Sequence, residues 1–276
     1  GVSLPSLRVD SVSIDILKEI ERVRKTGLTF APEAGSQRLR NVINKGVSEE
    51  DLTTAVSYAF KEGWSRIKLY FMIGLPTETD EDVLGIKDLA YKVKDLFFNR
   101  PREEKKGSFK LTVSASCFIP KPFTPFQWVG QNSIEEFKRK AYLINDNIRD
   151  RRISFNYHSP EVSYIEAIIS RGDRRVGRAI YKAWQLGCRF DGWSEHFDFD
   201  KWLQALDEAN IDGDFYALRN RSFEEILPWD FIDPGVSKKY LFREFKKSLK
   251  EIVTRDCRLG CTACGIKDCA MRGVFN

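Results

Sequence analysis

Phe71-Met72-Ile73-Gly74-Leu75-Pro76-Thr77-Glu78-Thr79 closes a run that starts at Arg66 and reads as a strand to Leu75. The run is short, apolar and rich in aromatic and β-branched residues, and Gly74 with Pro76 ends it abruptly. Two runs of the same kind flank it. Leu28 to Phe30 leads into Ala31-Pro32-Glu33-Ala34-Gly35-Ser36, and Leu111 to Ile119 leads into Pro120-Lys121-Pro122-Phe123-Thr124-Pro125-Phe126-Gln127-Trp128. Residues 2–8 read as an earlier strand. The segments between carry helical spacing, as in Ile14, Leu17, Ile20 and Val23. Near-continuous apolar strands separated by helices predict a parallel sheet with crossover helices.

Helix starts are marked by a hydroxyl three residues before a carboxylate. Ser48 with Asp51, Thr77 with Asp80, and Ser133 with Glu136 all fit this capping-box spacing. After Gly130 the pattern changes. Residues 133–150, 161–186, 198–209 and 238–253 read as helices, with Trp202, Leu203 and Leu206 on one face. Ile153 to Tyr157 is strand-like. The expected organisation is an α/β unit over 1–130, a mostly helical extension over 131–250 and a Cys-rich tail over 251–276.

Composition fits a soluble globular protein: 42% hydrophobic, 31% charged, net charge +5 over 276 residues. No apolar run has the roughly 18 residues needed to span a bilayer, so no membrane partner is expected. No signal peptide opens the chain, which predicts a cytoplasmic protein whose six cysteines are metal ligands or free thiols. Residues 131–190 carry 12 Lys/Arg against 7 Asp/Glu, and 191–250 carry 9 against 13. The basic zone could attract an anion such as RNA, or it could be a set of solvated helix faces.

Ligands of parallel α/β folds bind at the carboxyl ends of strands. Glu33 follows one such end and could accept from ribose hydroxyls or an amino group. Ser36 opens a helix whose N–H groups would face the same space. Ile73 and Gly74 end the next strand, where a glycine lets a flat ring approach the backbone. Phe118, Phe123 and Phe126 are candidate aromatic walls.

Cys257, Cys261, Cys264 and Cys269 lie within 13 residues, separated by small residues that let the chain turn. Four thiolates so close can converge on an iron–sulfur cluster or on tetrahedral zinc. Cys117 and Cys188 read as small buried hydrophobes. His158 and His196 are candidate acid/base groups or ligands, or simply hydrogen-bonded loop residues, and Arg171, Arg174, Arg175 and Arg178 could clamp a phosphate or carboxylate or equally form a solvated face or an ion-pair network.

In this order, Ser3-Leu4-Pro5-Ser6-Leu7-Arg8, Thr29 to Ser36, Phe71 to Glu78 and Phe118 to Trp128 resemble the radical SAM superfamily. His158-Ser159-Pro160-Glu161 and Arg171-Gly172-Asp173-Arg174-Arg175 narrow the resemblance to its cobalamin-binding-domain-containing proteins. The resemblance implies the second half of a partial (β/α)6 barrel. It implies S-adenosylmethionine contacts at the positions of Glu33, Ile73 and Gly74. It also implies an iron–sulfur cluster, cobalamin in the full-length parent, and radical chemistry such as methyl or methylthio transfer on an unknown substrate. The family's three-cysteine cluster loop has no counterpart in this sequence. The resemblance therefore implies that an N-terminal half or a separate subunit supplies the cluster, and that the chain alone is inactive. The rival expectation is a non-catalytic module that binds RNA or completes a barrel around a structural metal site.

Overall fold

The Arg66–Ile73 run forms the second strand of a four-stranded sheet in the computed structural model, which describes residues 27–267 and Cys269. The strands are β1 (Leu28–Glu33), β2 (Arg66–Ile73), β3 (Lys110–Cys117) and β4 (Ile153–Tyr157). They lie in the order β1-β2-β3-β4 and run parallel. Each crossover advances to the next strand without reversing direction along the sheet. That is the progression of a barrel sector; a doubly wound sheet has a switch point. The strand and helix expected at 2–8 and 14–23 lie outside the described residues.

The connections are α1 (Gln37–Val42) and α2 (Glu49–Lys61) after β1, α3 (Asp80–Phe98) after β2 and α4 (Ile134–Asn147) after β3. Alternation along β2 buries Ile67, Leu69, Phe71 and Ile73. Leu52, Val56 and Phe60 of α2 and Val83, Ile86 and Val93 of α3 are buried too. Phe60, Phe97 and Phe109 close one end of this core edge-to-face or tilted, with centroids 5.1–6.1 Å apart.

The chain divides into two compact units. The first holds the sheet: residues 27–116, Lys138–Tyr157 and Glu251–Val253. The strand-like segment at 153–157 is thus the fourth strand, with Leu111 opposite Ile153 and Ala115 opposite Tyr157. Residues 138–157, grouped by sequence with the helical extension, lie with the sheet.

The second unit comprises Cys117–Phe137, His158–Lys250 and the tail from Thr254. The helix expected over 161–186 is two helices, α5 (Pro160–Arg171) and α6 (Val176–Gln185). They break at Gly172, where a Cβ would sit 2.4 Å from the Val176 side chain and 2.6 Å from the Ile168 carbonyl. The remaining helices are α7 (Phe199–Glu208), α8 (Gly213–Ala217) and α9 (Lys238–Ser248). Ile165, Ile168, Val176, Trp202 and Leu206 form one core; Trp128, Leu227, Trp229 and Leu241 form another. Leu203, expected beside Trp202, is 42% exposed, so only Trp202 and Leu206 carry that buried face.

Two capping boxes match their expected positions or shift by a residue pair. Ser48 and Asp51 cap α2 as expected. For α3 the box is Thr79 with Asp82, displaced from Thr77 with Asp80. Both pairs have the right spacing, and Asp82 prevails through partners distant in sequence. Its carboxylate accepts from Thr79 N–H at 2.8 Å, from Thr79 Oγ1 at 3.0 Å, from Ser36 Oγ and from the Arg38 guanidinium.

Burial works against the ionised form of Asp82. The bonds from Arg38, Ser36 and Thr79 outweigh it and hold the carboxyl below its ordinary 3.8. A depressed folded-state pKa gives stability that is complete above the ordinary value and is lost as pH falls through the depressed one. Asp82→Asn should therefore cost about 1–3 kcal/mol at neutral pH. It should also make the acid limb of a stability–pH profile, measured by urea unfolding, shallower below pH 3.8. An unchanged acid limb in Asp82→Asn would contradict this role.

Candidate functional site

Helices cover one face of the sheet; the other is polar. Thr29 and Ala31 of β1, Lys68, Tyr70 and Met72 of β2, and Thr112 and Ser116 of β3 are partly buried there, and Ser154 and Asn156 of β4 are exposed. A sheet face with hydroxyls, a lysine and a tyrosine is suited to a polar ligand, since such groups would be costly in a sealed core. Lys68 Nζ lies 4.6 Å from the centre of the Tyr70 ring.

Glu33 ends β1 at a β-bulge. Phe30 pairs with Leu69, but Glu33 pairs with Phe71, so one extra residue is inserted on β1. Its φ is +69°, the left-handed region that costs a residue with a Cβ roughly 1–2 kcal/mol. Bulges re-aim side chains, and strained backbone of this kind clusters at functional sites. The carboxylate meets Lys45 Nζ at 3.0 Å, with both side chains about a quarter exposed. It is therefore held in place yet open to solvent.

Gly74 ends the neighbouring strand with φ +82°. Its N–H is not free to read a ring edge, because it donates to Glu78 Oε2 at 2.7 Å. The same oxygen meets Lys140 Nζ at 2.8 Å, and the Glu78 and Lys140 side chains are 1% and 6% exposed. Burial pushes the Glu78 carboxyl up, opposed by Lys140 and by the amides of Gly74 and Leu75. What Gly74 can offer a ligand is its carbonyl. Ile73 is fully buried, so its side chain belongs to the core and only its backbone reaches the strand end.

Ser36 caps α1, accepting from Leu39 N–H at 3.1 Å and donating to Asp82. Its hydroxyl is committed to the scaffold. The preceding Gly35 is required by close approach: a Cβ would stand 2.2 Å from the Asp82 carbonyl and 2.5 Å from the Ile86 nitrogen. Glu33 and Ser36 thus share one loop, and Ile73 and Gly74 end the adjacent strand. Sequence reasoning missed Glu78 and Lys140. A carboxylate between two threonines at a strand end is a signal, but Glu78 lies inside the Thr77–Asp80 stretch that reads as a capping box, in which it has no part.

In the second unit, Phe118 packs edge-on to Phe126 with centroids 5.9 Å apart, and Phe126 likewise to Phe245 at 6.3 Å. Phe123 packs against the Trp128 cluster. These rings form a connected aromatic set. Cys117 is buried, and burial pushes its thiol up to about 12, so it stays protonated as a small hydrophobe. Cys188 is buried as well. His158 and His196 are both exposed.

The tail is attached to α9. Ser237 N–H donates to the Cys264 carbonyl at 2.8 Å, and Arg243 donates to the Thr262 carbonyl. Ala263 N–H points at Cys261 Sγ, 3.4 Å away, with Ala263 at φ +54° and Gly265 at φ +106°. Cys257 and Cys261 are exposed; Cys264 and Cys269 are partly exposed. Among the described residues no three His, Cys, Asp or Glu side chains are gathered closely enough to hold a metal ion. Among them, too, no helix is long and apolar enough to cross a membrane.

Removing the Cβ at position 33 should relieve the strain of its left-handed φ. Glu33→Gly should be more stable than Glu33→Ala by about 1 kcal/mol in urea unfolding, because both lose the Lys45 pair and only alanine keeps the strained φ. An alanine variant as stable as the glycine variant would exclude the strain.

Parts of the chain are similar to known proteins. Residues 1–90 match the Radical SAM superfamily model. An uncharacterized protein of Methanocaldococcus jannaschii is 36% identical over 183 residues, covering 65% of this chain and 37% of that protein. A second protein of the same organism, provisionally named a methylthiotransferase, is 27% identical over 164 residues, covering 45% of this chain and 36% of its own length. The chain thus spans little more than a third of the curated relatives it matches. The stretch matched by the radical SAM model includes β1 and β2, the two strands that end at Glu33 and Ile73.

Proposed function

We propose that this chain is the C-terminal part of a radical SAM enzyme and that the carboxyl ends of β1 and β2 contribute to its S-adenosylmethionine site. The observation that carries the reading is Glu33. It is a bulged, left-handed residue at a parallel strand end, with a positioned and accessible carboxylate on the rim of a polar sheet face. The residues fit the cofactor in part. Glu33 can accept from ribose hydroxyls or the amino group, and the Gly74 carbonyl can accept from an adenine amine. The Gly74 amide and the Ser36 hydroxyl are already engaged. When bound with a reduced iron–sulfur cluster, S-adenosylmethionine supplies a 5′-deoxyadenosyl radical, and the protein's part is to position it. Methyl or methylthio transfer is the proposed outcome, with cobalamin in the parent, an unidentified substrate and a cytoplasmic setting. An N-terminal half or a separate subunit carries the cluster in this reading.

The test is equilibrium binding of S-adenosylmethionine to the protein assembled with its cluster-bearing part. Glu33→Ala should weaken binding by about 1–3 kcal/mol, the usual cost of an unpaired buried polar partner. Unchanged affinity would remove Glu33 from the site.

We propose further that Cys257, Cys261, Cys264 and Cys269 hold a metal centre, an iron–sulfur cluster in preference to zinc. The support is their spacing together with the Ala263 N–H directed at Cys261 Sγ, a backbone donor of the kind that metal-bound sulfurs accept. Chain purified without oxygen should retain iron or zinc, and Cys261→Ala with Cys264→Ala should lose it. Metal-free wild-type protein, or metal unaffected by the double substitution, would overturn the assignment. The RNA-binding reading has weaker support. Arg139, Arg152 and Arg175 of the basic zone pair with Asp80, Asp150 and Asp173 at 2.6–2.7 Å.

A further inference from the structure

Arg171 and Arg221, both in the second unit, are buried without a carboxylate. Arg171 is 0% exposed and Arg221 is 6% exposed. Arg171 Nε donates to the Tyr216 carbonyl at 3.1 Å and Nη1 to the Pro120 carbonyl at 3.4 Å. Arg221 Nη2 donates to the Arg171 carbonyl at 2.8 Å and to the Tyr216 carbonyl at 3.4 Å. The two guanidinium groups therefore meet at one peptide oxygen. Among the described residues, Arg171 Nη2 and Arg221 Nε and Nη1 are buried with no acceptor. The neighbouring acids are engaged elsewhere: Glu225 with Arg219 at 2.5 Å and Asp173 with Arg175 at 2.6 Å.

Two cations that share an acceptor repel, and burying each one costs several kcal/mol unless an anion compensates. Burial and the neighbouring Arg221 and Arg219 push the Arg171 guanidinium down to about 9, so it remains charged at neutral pH. The carbonyls of Pro120, Tyr216 and Arg171 offset only part of the cost. Arg221 also lies over the Trp229 ring, 5.0 Å from its centre, and is attracted by Glu225 and Asp173. A structural role as a stitch between backbone segments accounts for these contacts, but leaves three buried donor nitrogens without an acceptor.

We propose that Arg171 and Arg221 form a binding site for a tetrahedral, phosphate-class oxyanion that bridges the two guanidinium groups. Three donor nitrogens without an acceptor belong to two side chains that already meet at the Tyr216 carbonyl, and such an anion presents at least three acceptor oxygens. Guanidinium groups match these oxygens in geometry as well as charge. The two bonds at 3.4 Å, to Pro120 and Tyr216, are the weakest holds on the pair and the ones the anion would displace. The proposal stands independently of the S-adenosylmethionine reading, since none of these residues belongs to that site.

The experiment uses the full chain and compares wild type with Arg221→Met by thermal unfolding in chloride, phosphate, sulfate and acetate at matched ionic strength. A ligand that binds only the folded state raises its stability with concentration. Wild type should show a saturable rise in Tm with phosphate and sulfate that acetate does not reproduce. In chloride, Arg221→Met should be at least as stable as wild type, because an apolar side chain replaces a buried charge that lacks a carboxylate partner; in phosphate the order should reverse. A wild type that leads by the same margin in every salt would show a structural stitch and overturn the proposal. Equal stabilisation by acetate would overturn the phosphate class. Should Arg221→Met fail to fold, saturable binding of inorganic phosphate to wild type, read by equilibrium dialysis and diminished in Arg221→Lys, decides the matter; absence of saturable binding overturns it.

Discussion

The Asp82 carboxylate joins the two strand ends on which the candidate site depends. It belongs to α3, which follows β2, yet it accepts from Ser36 and Arg38, which follow β1. The close packing of Gly35 on the backbone of α3 brings these donors to it. Without that approach the loop after β1 would have no fixed relation to the loop after β2. The carboxylate of Glu33 and the carbonyl of Gly74 would then not be held on one rim.

A second buried group acts on the same rim. Glu78 holds the amide of Gly74, and Lys140 neutralises Glu78. Removing either partner would leave a buried charge unpaired, which is strongly destabilising. The two ion pairs differ in kind. Glu78 with Lys140 is sealed and fixes backbone, whereas Glu33 with Lys45 is partly solvated and can exchange partners at small cost. The accessible pair is the one suited to a ligand.

The strands were legible because each is a brief apolar run closed by glycine or proline. That Ile153 to Tyr157 joins their sheet was not, since pairing with β3 is decided by register across 42 residues of sequence. The α3 cap was ambiguous for a related reason. Thr77 with Asp80 and Thr79 with Asp82 satisfy the same local rule, and partners 44 and 46 residues away decide between them. Glu33 was legible from its motif, but its bulge and left-handed φ were not. Arg221 sits in Asn220-Arg221-Ser222, a polar triplet that reads as surface; only tertiary packing buries it.

The central claim is that the carboxyl ends of β1 and β2 contact S-adenosylmethionine. Its most direct test is a structure of the cluster-bearing protein with S-adenosylmethionine bound. The account predicts the nucleoside within hydrogen-bonding distance of the Glu33 carboxylate and the Gly74 carbonyl, with Glu78 still holding the Gly74 amide. A cofactor bound away from both residues, with Glu33 still paired only to Lys45, would contradict it.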